Sequence, residues 1–145
     1  IEINYLGTIA LTKALLPYFI KQQKGHFAVV TSVMGKYASP FRSGYAGAKH
    51  ALHGFFDALR MEHQKDKIQV TMVCPGFVKT PLTDKNTFKM PFLISSSEAA
   101  KRIIVGVEQR KTYLHFPKRL TWLLNFFSFL PLSVWQAIIM RGQKS

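Results

Sequence analysis

The chain has 145 residues, 48% of them hydrophobic and 19% charged, which is the size and balance of one globular domain with a sizeable core. Its single cysteine, Cys74, excludes an intrachain disulfide framework and a cysteine-based zinc cage, and fits a reducing cytosolic environment. The net charge of +13 raises nucleic acid as a partner, but it is unevenly spread: residues 1–100 carry 12 basic and 6 acidic groups, whereas 101–145 carry 8 basic groups and only Glu108 as acid.

The sequence opens Ile1-Glu-Ile-Asn-Tyr5, inside what reads as a running helix without methionine or cap, as expected of an N-terminally truncated chain. From Asn4 to about Gln22, Leu6, Ile9, Ala10, Ala14, Leu16 and Ile20 recur near helical spacing, and Gly25 stops the helix. His26 to Ser32 is a short, nearly continuous apolar run, the pattern of a strand buried on both faces of a parallel sheet. It delivers Thr31 and Ser32 at its C-terminal end. A loop with Gly35, Ser39 and Pro40 leads to a second helix, about Ser43 to Lys65, with an apolar stripe of Ala48, Leu52, Phe55, Phe56 and Leu59.

Lys67 to Cys74 reads as a further strand, turned by Pro75-Gly76. Residues 77–95 contain Pro81 and Pro91 without clear periodicity, and a loop of that length in a compact domain predicts a functional lid. Ser95-Ser-Ser-Glu98 caps a helix running to about Lys111, followed by a short strand from Thr112 to Phe116. The alternation of helix and strand predicts an α/β fold whose parallel sheet has helices on both faces and ligands beyond the C-terminal ends of its strands.

Residues 117–145 form a basic, apolar extension. Leu120 to Met140 has the length of a bilayer span, but Thr121, Asn125, Ser128, Ser133 and Gln136 interrupt it and Pro131 breaks it. Two short amphipathic helices are expected, with Lys118, Arg119, Arg141 and Lys144 around them, in peripheral contact with an anionic membrane through 118–144. A terminal helix packed on its own domain or on a partner subunit is the alternative, and a solvated basic surface is the alternative for the charge. A nucleic-acid module would interleave aromatics and cations on one strand face, which this chain does not, so no nucleic acid is expected. His50 and His53 lack a carboxylate ligand set, so no metal is expected either.

Four motifs remain: Asn4 on the first helix, Ser32 after the first strand, Tyr45-Ala-Gly-Ala-Lys49 opening the second helix, and Pro75-Gly-Phe-Val-Lys-Thr80 after the second strand. The i, i+4 spacing of Tyr45 and Lys49 puts both on one helix face, where an ammonium favours the phenolate and hence proton transfer to a carbonyl or from an alcohol. In order and spacing these motifs over residues 1–116 resemble the short-chain dehydrogenase/reductase family. The resemblance implies the C-terminal portion of a Rossmann-type doubly wound parallel sheet, with the N-terminal half missing, because no Gly-rich fingerprint precedes the motifs.

By the same resemblance Tyr45 is the general acid/base, Lys49 lowers its pKa and bonds the nicotinamide ribose, Ser32 orients the substrate oxygen, and the backbone of Asn4 holds a relay water. Pro75, Gly76, Val78 and Thr80 wall the nicotinamide of NAD or NADP. Ser32, Tyr45, Phe41 and Phe77, with Met34, Arg42, Leu82, Phe88 and Phe92 nearby, suit a small lipophilic alcohol or carbonyl substrate. A homodimer or homotetramer built on the two long helices is implied, located in the cytoplasm or on a membrane facing the cytosol. A scaffold protein that keeps the fold without catalysis is the competing reading. The chain alone, lacking a phosphate cradle and exposing a sheet edge, is expected to be inactive and prone to aggregation.

Overall fold

A computed structural model of the chain describes residues 1–38, 40–86 and 90–141. Its element order is α1 (Gly7–Gln22), β1 (Gly25–Val30), α2 (Ser43–Glu62), β2 (Ile68–Pro75), β3 (Val78–Lys79), β4 (Ile94–Ser95), α3 (Ser96–Glu108), β5 (Tyr113–Phe116), α4 (Lys118–Ser128) and α5 (Leu132–Arg141). A π-helical turn, Glu2–Leu6, leads into α1.

Three strands form one parallel sheet in the order β1-β2-β5, with Val29 opposite Met72 and Val73 opposite Leu114. Successive side chains of a strand point to opposite faces, so each face collects its own core. On one face Phe27, Val29, Ile68, Val70, Met72 and Cys74 pack with Leu52, Phe56 and Leu59 of α2, and Tyr5, Ile9, Leu16, Phe19 and Ile20 close over them. On the other, Val73 and Phe116 pack with Ala99 of α3, joined by Ile103 and Leu114. The sheet thus carries helices on both faces, as α/β alternation predicts, with Ala28 and Val30 of β1 left exposed on the α3 side. The segment Glu2–Gln22 is long and apolar enough to cross a membrane by length and composition. One face of it, Tyr5, Ile9, Leu16, Phe19 and Ile20, docks on the sheet, while Leu6, Leu11, Leu15 and Tyr18 stay exposed, so docking accounts for only part of that apolarity.

The stretch 77–95 is more ordered than its lack of periodicity implies. β3 and β4 pair in parallel, Val78 opposite Ile94 and Lys79 opposite Ser95, so the excursion is pinned at its two ends. A 3-10 turn at Thr83–Lys85 lies within it. Phe88 lies outside the described residues, as do Ser39 and Lys144.

The extension after β5 folds as two helices separated at Pro131, so the described residues do not form one continuous span there. Its first turns belong to the domain: Leu120 and Thr121 are buried, His115 Nδ1 lies 2.7 Å from Thr121 Oγ1, and Tyr37 donates to Asn125 Oδ1. Helix α4 is therefore anchored on β5 and on the turn after β1.

Candidate active site

β1 ends at Val30, and its hydrogen-bonding path continues one residue further, the Thr31 amide donating to Val73 O over 2.7 Å. Ser32 then leaves the sheet and caps a single 3-10 turn, Val33–Gly35. Its Oγ accepts from Met34 N at 3.1 Å. That bond uses a lone pair, so the hydroxyl proton is available to donate outward.

Helix α2 starts at Ser43 with Tyr45 and Lys49 in its first two turns. Tyr45 is 38% exposed, so its side chain is open to solvent. Lys49 is only 8% exposed, and its ammonium lies 5.5 Å from the Tyr45 ring centroid. It makes no hydrogen bond or ion pair among the described residues. Burial holds its pKa below the ordinary lysine value, because no counter-charge offsets the lost hydration. A buried ammonium with uncommitted donors facing a phenol is suited to two partners, the phenolate and a neighbouring hydroxyl.

Asn4 lies within the π-helical turn, exposed, where the wider backbone changes carbonyl pairing; such turns concentrate at functional sites. Pro75 ends β2, and Gly76 N donates to Phe116 O over 2.7 Å. A side chain at Gly76 would meet Leu120 Cδ2 at 2.7 Å, so close packing of α4 requires glycine there whatever ligand approaches. Val78 is half-buried in β3. Thr80 is tied to Thr83, its amide donating to Thr83 Oγ1 at 2.8 Å, and Thr83 Oγ1 in turn donates to carbonyl oxygens of Val78 or Thr80, each 2.9 Å away.

The apolar candidates are scattered. Phe41, at φ 61°, is 89% exposed, and Leu82 is 77% exposed. Phe77 and Met34 are half-buried, and Phe92 is 42% exposed. Arg42 Nη2 donates to Asn86 Oδ1 at 3.4 Å, which brings the loop before α2 against the 77–95 excursion. A cavity of about 50 Å³ between β2, β5 and α4 includes Val33, Lys36, Tyr37 and Cys74 in its wall. Ser32, Tyr45 and Lys49 do not line it, so it is separate from their chemistry.

Sequence reasoning weighed His53 only as a metal ligand. It is 7% exposed, its Nε2 lies 2.9 Å from Thr31 Oγ1, and burial, aided by the Lys36 charge, lowers its pKa to about 4. The available signal was its spacing, one further i+4 step beyond Lys49. The other histidines are also engaged: His26 with Thr71 at 2.8 Å, His50 with Ala46 O at 2.8 Å, His63 with Asp66 at 2.8 Å and His115 with Thr121. Among the described residues no three His, Cys, Asp or Glu side chains group as metal ligands.

Residues 1–90 match the family model described as short chain dehydrogenase. The mouse protein named dehydrogenase/reductase SDR family member 7B is 39% identical over 124 residues, covering 76% of this chain and 38% of that protein. Its Xenopus laevis counterpart is 52% identical over 82 residues, 57% of this chain and 25% of that protein. Among solved structures, a short chain dehydrogenase from Burkholderia cenocepacia in complex with NADP aligns with a TM-score of 0.79 at 20% identity, over 95% of this chain and 56% of that one. The matched stretches span about a quarter to two fifths of the curated relatives' length. The α/β parallel sheet agrees with the solved neighbour, and the family match runs through Asn4, Ser32, Tyr45, Lys49 and the Pro75–Thr80 segment. The chain therefore belongs to the short chain dehydrogenase family.

Proposed function

We propose that the protein carrying this chain is an oxidoreductase that moves a hydride between NAD or NADP and an alcohol or ketone, with Tyr45 as general acid/base. The observation that carries this reading is the desolvated Lys49 ammonium, without an acidic partner among the described residues, 5.5 Å from the Tyr45 ring centroid. A cation held there stabilises the negative charge that the Tyr45 oxygen takes on when it gives up its proton, which suits that hydroxyl to exchange a proton with a substrate oxygen. In the reductive direction the Tyr45 proton passes to the carbonyl oxygen, and Ser32 donates to that same oxygen as its charge develops. Lys49, helped by a water on the Asn4 backbone, returns the proton to Tyr45.

The bound nicotinamide would supply or accept the hydride. The residues present fit such a group: Lys49 has donors to spare for ribose hydroxyls, and Pro75, Gly76, Val78 and Thr80 lie on the segment leaving the C-terminal end of β2. The phosphate cradle is not in these 145 residues, whose sequence holds no Gly-rich turn after a strand. The isolated chain is therefore proposed to be inactive. The test is turnover by the intact protein with NADH or NADPH and a panel of carbonyls. Tyr45→Phe is expected to lower kcat by roughly 10³-fold and Ser32→Ala by roughly 10²-fold. Turnover that survives Tyr45→Phe would refute the assignment of Tyr45, and a wild-type protein without turnover would favour the scaffold reading.

The substrate is proposed to be lipophilic, because Phe41 lies in the loop before Tyr45 and Phe77, Leu82 and Phe92 lie on the 77–95 excursion, which the Arg42–Asn86 bond ties to that loop. Peripheral attachment to an anionic membrane accompanies this reading. Helix α4 buries Leu120 and Thr121 while Trp122, Phe126 and Phe129 stand 72%, 66% and 88% exposed beside Lys118 and Arg119. Aromatics flanked by cations suit the interface of a bilayer rich in anionic lipid. Sedimentation with phosphatidylserine vesicles, lost with Trp122→Ser and Phe126→Ser and absent with phosphatidylcholine, is the expected result. Equal binding by the double variant would leave α4 as a protein contact. The outward faces of α1 and α2, with Leu11, Tyr18 and Met61 exposed, suit a homodimer or homotetramer, which light scattering of the intact protein would reveal.

A further inference from the structure

Tyr45, Lys49 and His53 are successive rungs of one face of α2, at i, i+4 and i+8. The first two point to the proposed chemistry; the third reaches the strand that carries Ser32. His53 Nε2 is 2.9 Å from Thr31 Oγ1, and Thr31 Oγ1 is 3.1 Å from Val73 O. A hydroxyl has one proton to give, and the Val73 carbonyl can only accept it. With that proton on the Val73 carbonyl rather than on His53 or on Cys74 Sγ at 3.4 Å, His53 takes the Nε2–H tautomer and donates to Thr31. The same ring closes on the other end of the turn, where a Cβ at Gly35 would fall 2.4 Å from His53 Nε2 and 3.1 Å from the Lys49 carbonyl oxygen. Between these two contacts lies Ser32, whose carbonyl accepts from Gly35 N at 2.9 Å and whose Oγ accepts from Met34 N at 3.1 Å.

We infer that His53 is a positioning residue: by donating to Thr31 and seating Gly35, it clamps the Ser32 turn to α2 and sets Ser32 against the Tyr45–Lys49 pair. The inference rests on the proposed function for its catalytic meaning, but the clamp itself is a structural statement. Two donors, Ser32 Oγ and the Tyr45 hydroxyl, must meet at the substrate oxygen from two different elements, a strand end and a helix. The α2 residue that binds the strand end one turn beyond Lys49 fixes their separation. Cys74 Sγ, 3.7 Å from His53 Nε2, packs behind it.

The test uses the intact protein with His53→Leu, which removes the donor at similar volume, Thr31→Val, which removes its acceptor, and His53→Gln, which restores an N–H. The expected result is a kcat lowered about tenfold in the first two, with KM within about twofold, since misplacement of an oriented donor taxes the chemical step. The double variant should be no worse than the poorer single, and His53→Gln should recover most of the rate. Hydrogen exchange of the Met34 and Gly35 amides should rise roughly tenfold in the first two variants and not in His53→Gln. Should His53→Leu fail to fold, Thr31→Val against Thr31→Ser makes the same contrast from the strand. Unchanged kcat, additive effects, or exchange rising uniformly along the chain overturns the clamp. A wild-type protein without turnover would instead overturn the proposed function, and the exchange contrast would still decide whether His53 holds the turn.

Discussion

Two buried bases on one helix face respond to pH in ways that can be separated. His53, with its pKa brought down to about 4 by burial, Lys36 and His50 against the opposing pull of Asp57, stays neutral in the fold. Above pH 6.5 neither folded nor unfolded chain protonates it, so it makes no difference there. Between 6.5 and about 4 the unfolded chain takes up the proton and the folded one does not, so stability falls as pH falls, by up to about 3 kcal/mol. Urea unfolding of the intact protein should show a steeper loss from pH 7 to 4.5 in the wild type than in His53→Gln, whose remaining slope comes from His26 and His115, also held low by burial. Equal slopes would remove His53 as the source. Lys49 has the same sign higher up: its desolvation penalty is present below its folded pKa and is relieved as pH rises toward 10.5. Lys49→Met should therefore raise the urea midpoint while abolishing turnover, a trade of stability against activity. That Tyr45 and Lys49 share one helix face was readable because helical spacing alone joins them. That of His53 was not, since its partner Thr31 is 22 residues away and only folding brings them together.

Short-range chemistry decides where elements begin and end. Ser95 Oγ accepts from Glu98 N at 3.1 Å, the first half of the capping box that the sequence predicts. The second half is not made: the Glu98 carboxylate turns instead to Arg102, 2.7 Å away. Ser95→Ala should cost about 1 kcal/mol in urea unfolding, and a smaller effect would mean that pairing with β3 already holds the start of α3. Helices α1, α2 and α3 were legible from their periodicity, with ends within three residues of the expected positions. The strands β3 and β4 were not. Two residues carry no period, and their pairing depends on a chain excursion that only the folded sheet can orient. The break between α4 and α5 was expected from Pro131, whereas the seating of Leu120 over Gly76 required the tertiary fold.

The sheet has an open side at the scale of the molecule. Ala28 and Val30 of β1 are exposed, Val30 to 55%, and a cleft of about 160 Å³ runs between that strand and Thr8, Leu11 and Leu15 of α1. An apolar strand edge with free backbone groups pairs readily with another chain. The isolated 145-residue chain is accordingly expected to self-associate with rising concentration, and Val30→Lys to reduce it; light scattering that is flat for the wild-type chain would reject the open edge. By itself the sequence determined the α/β alternation, the parallel sheet and the shared face of Tyr45 and Lys49, because helix and strand periods and i, i+4 neighbours are local properties of the chain. Only the tertiary structure decided that α4 is anchored to β5, that the 77–95 excursion is pinned at its ends, and that His53 grips the turn bearing Ser32. Those contacts join residues far apart in sequence, and their energies exist only once the sheet has set the distances.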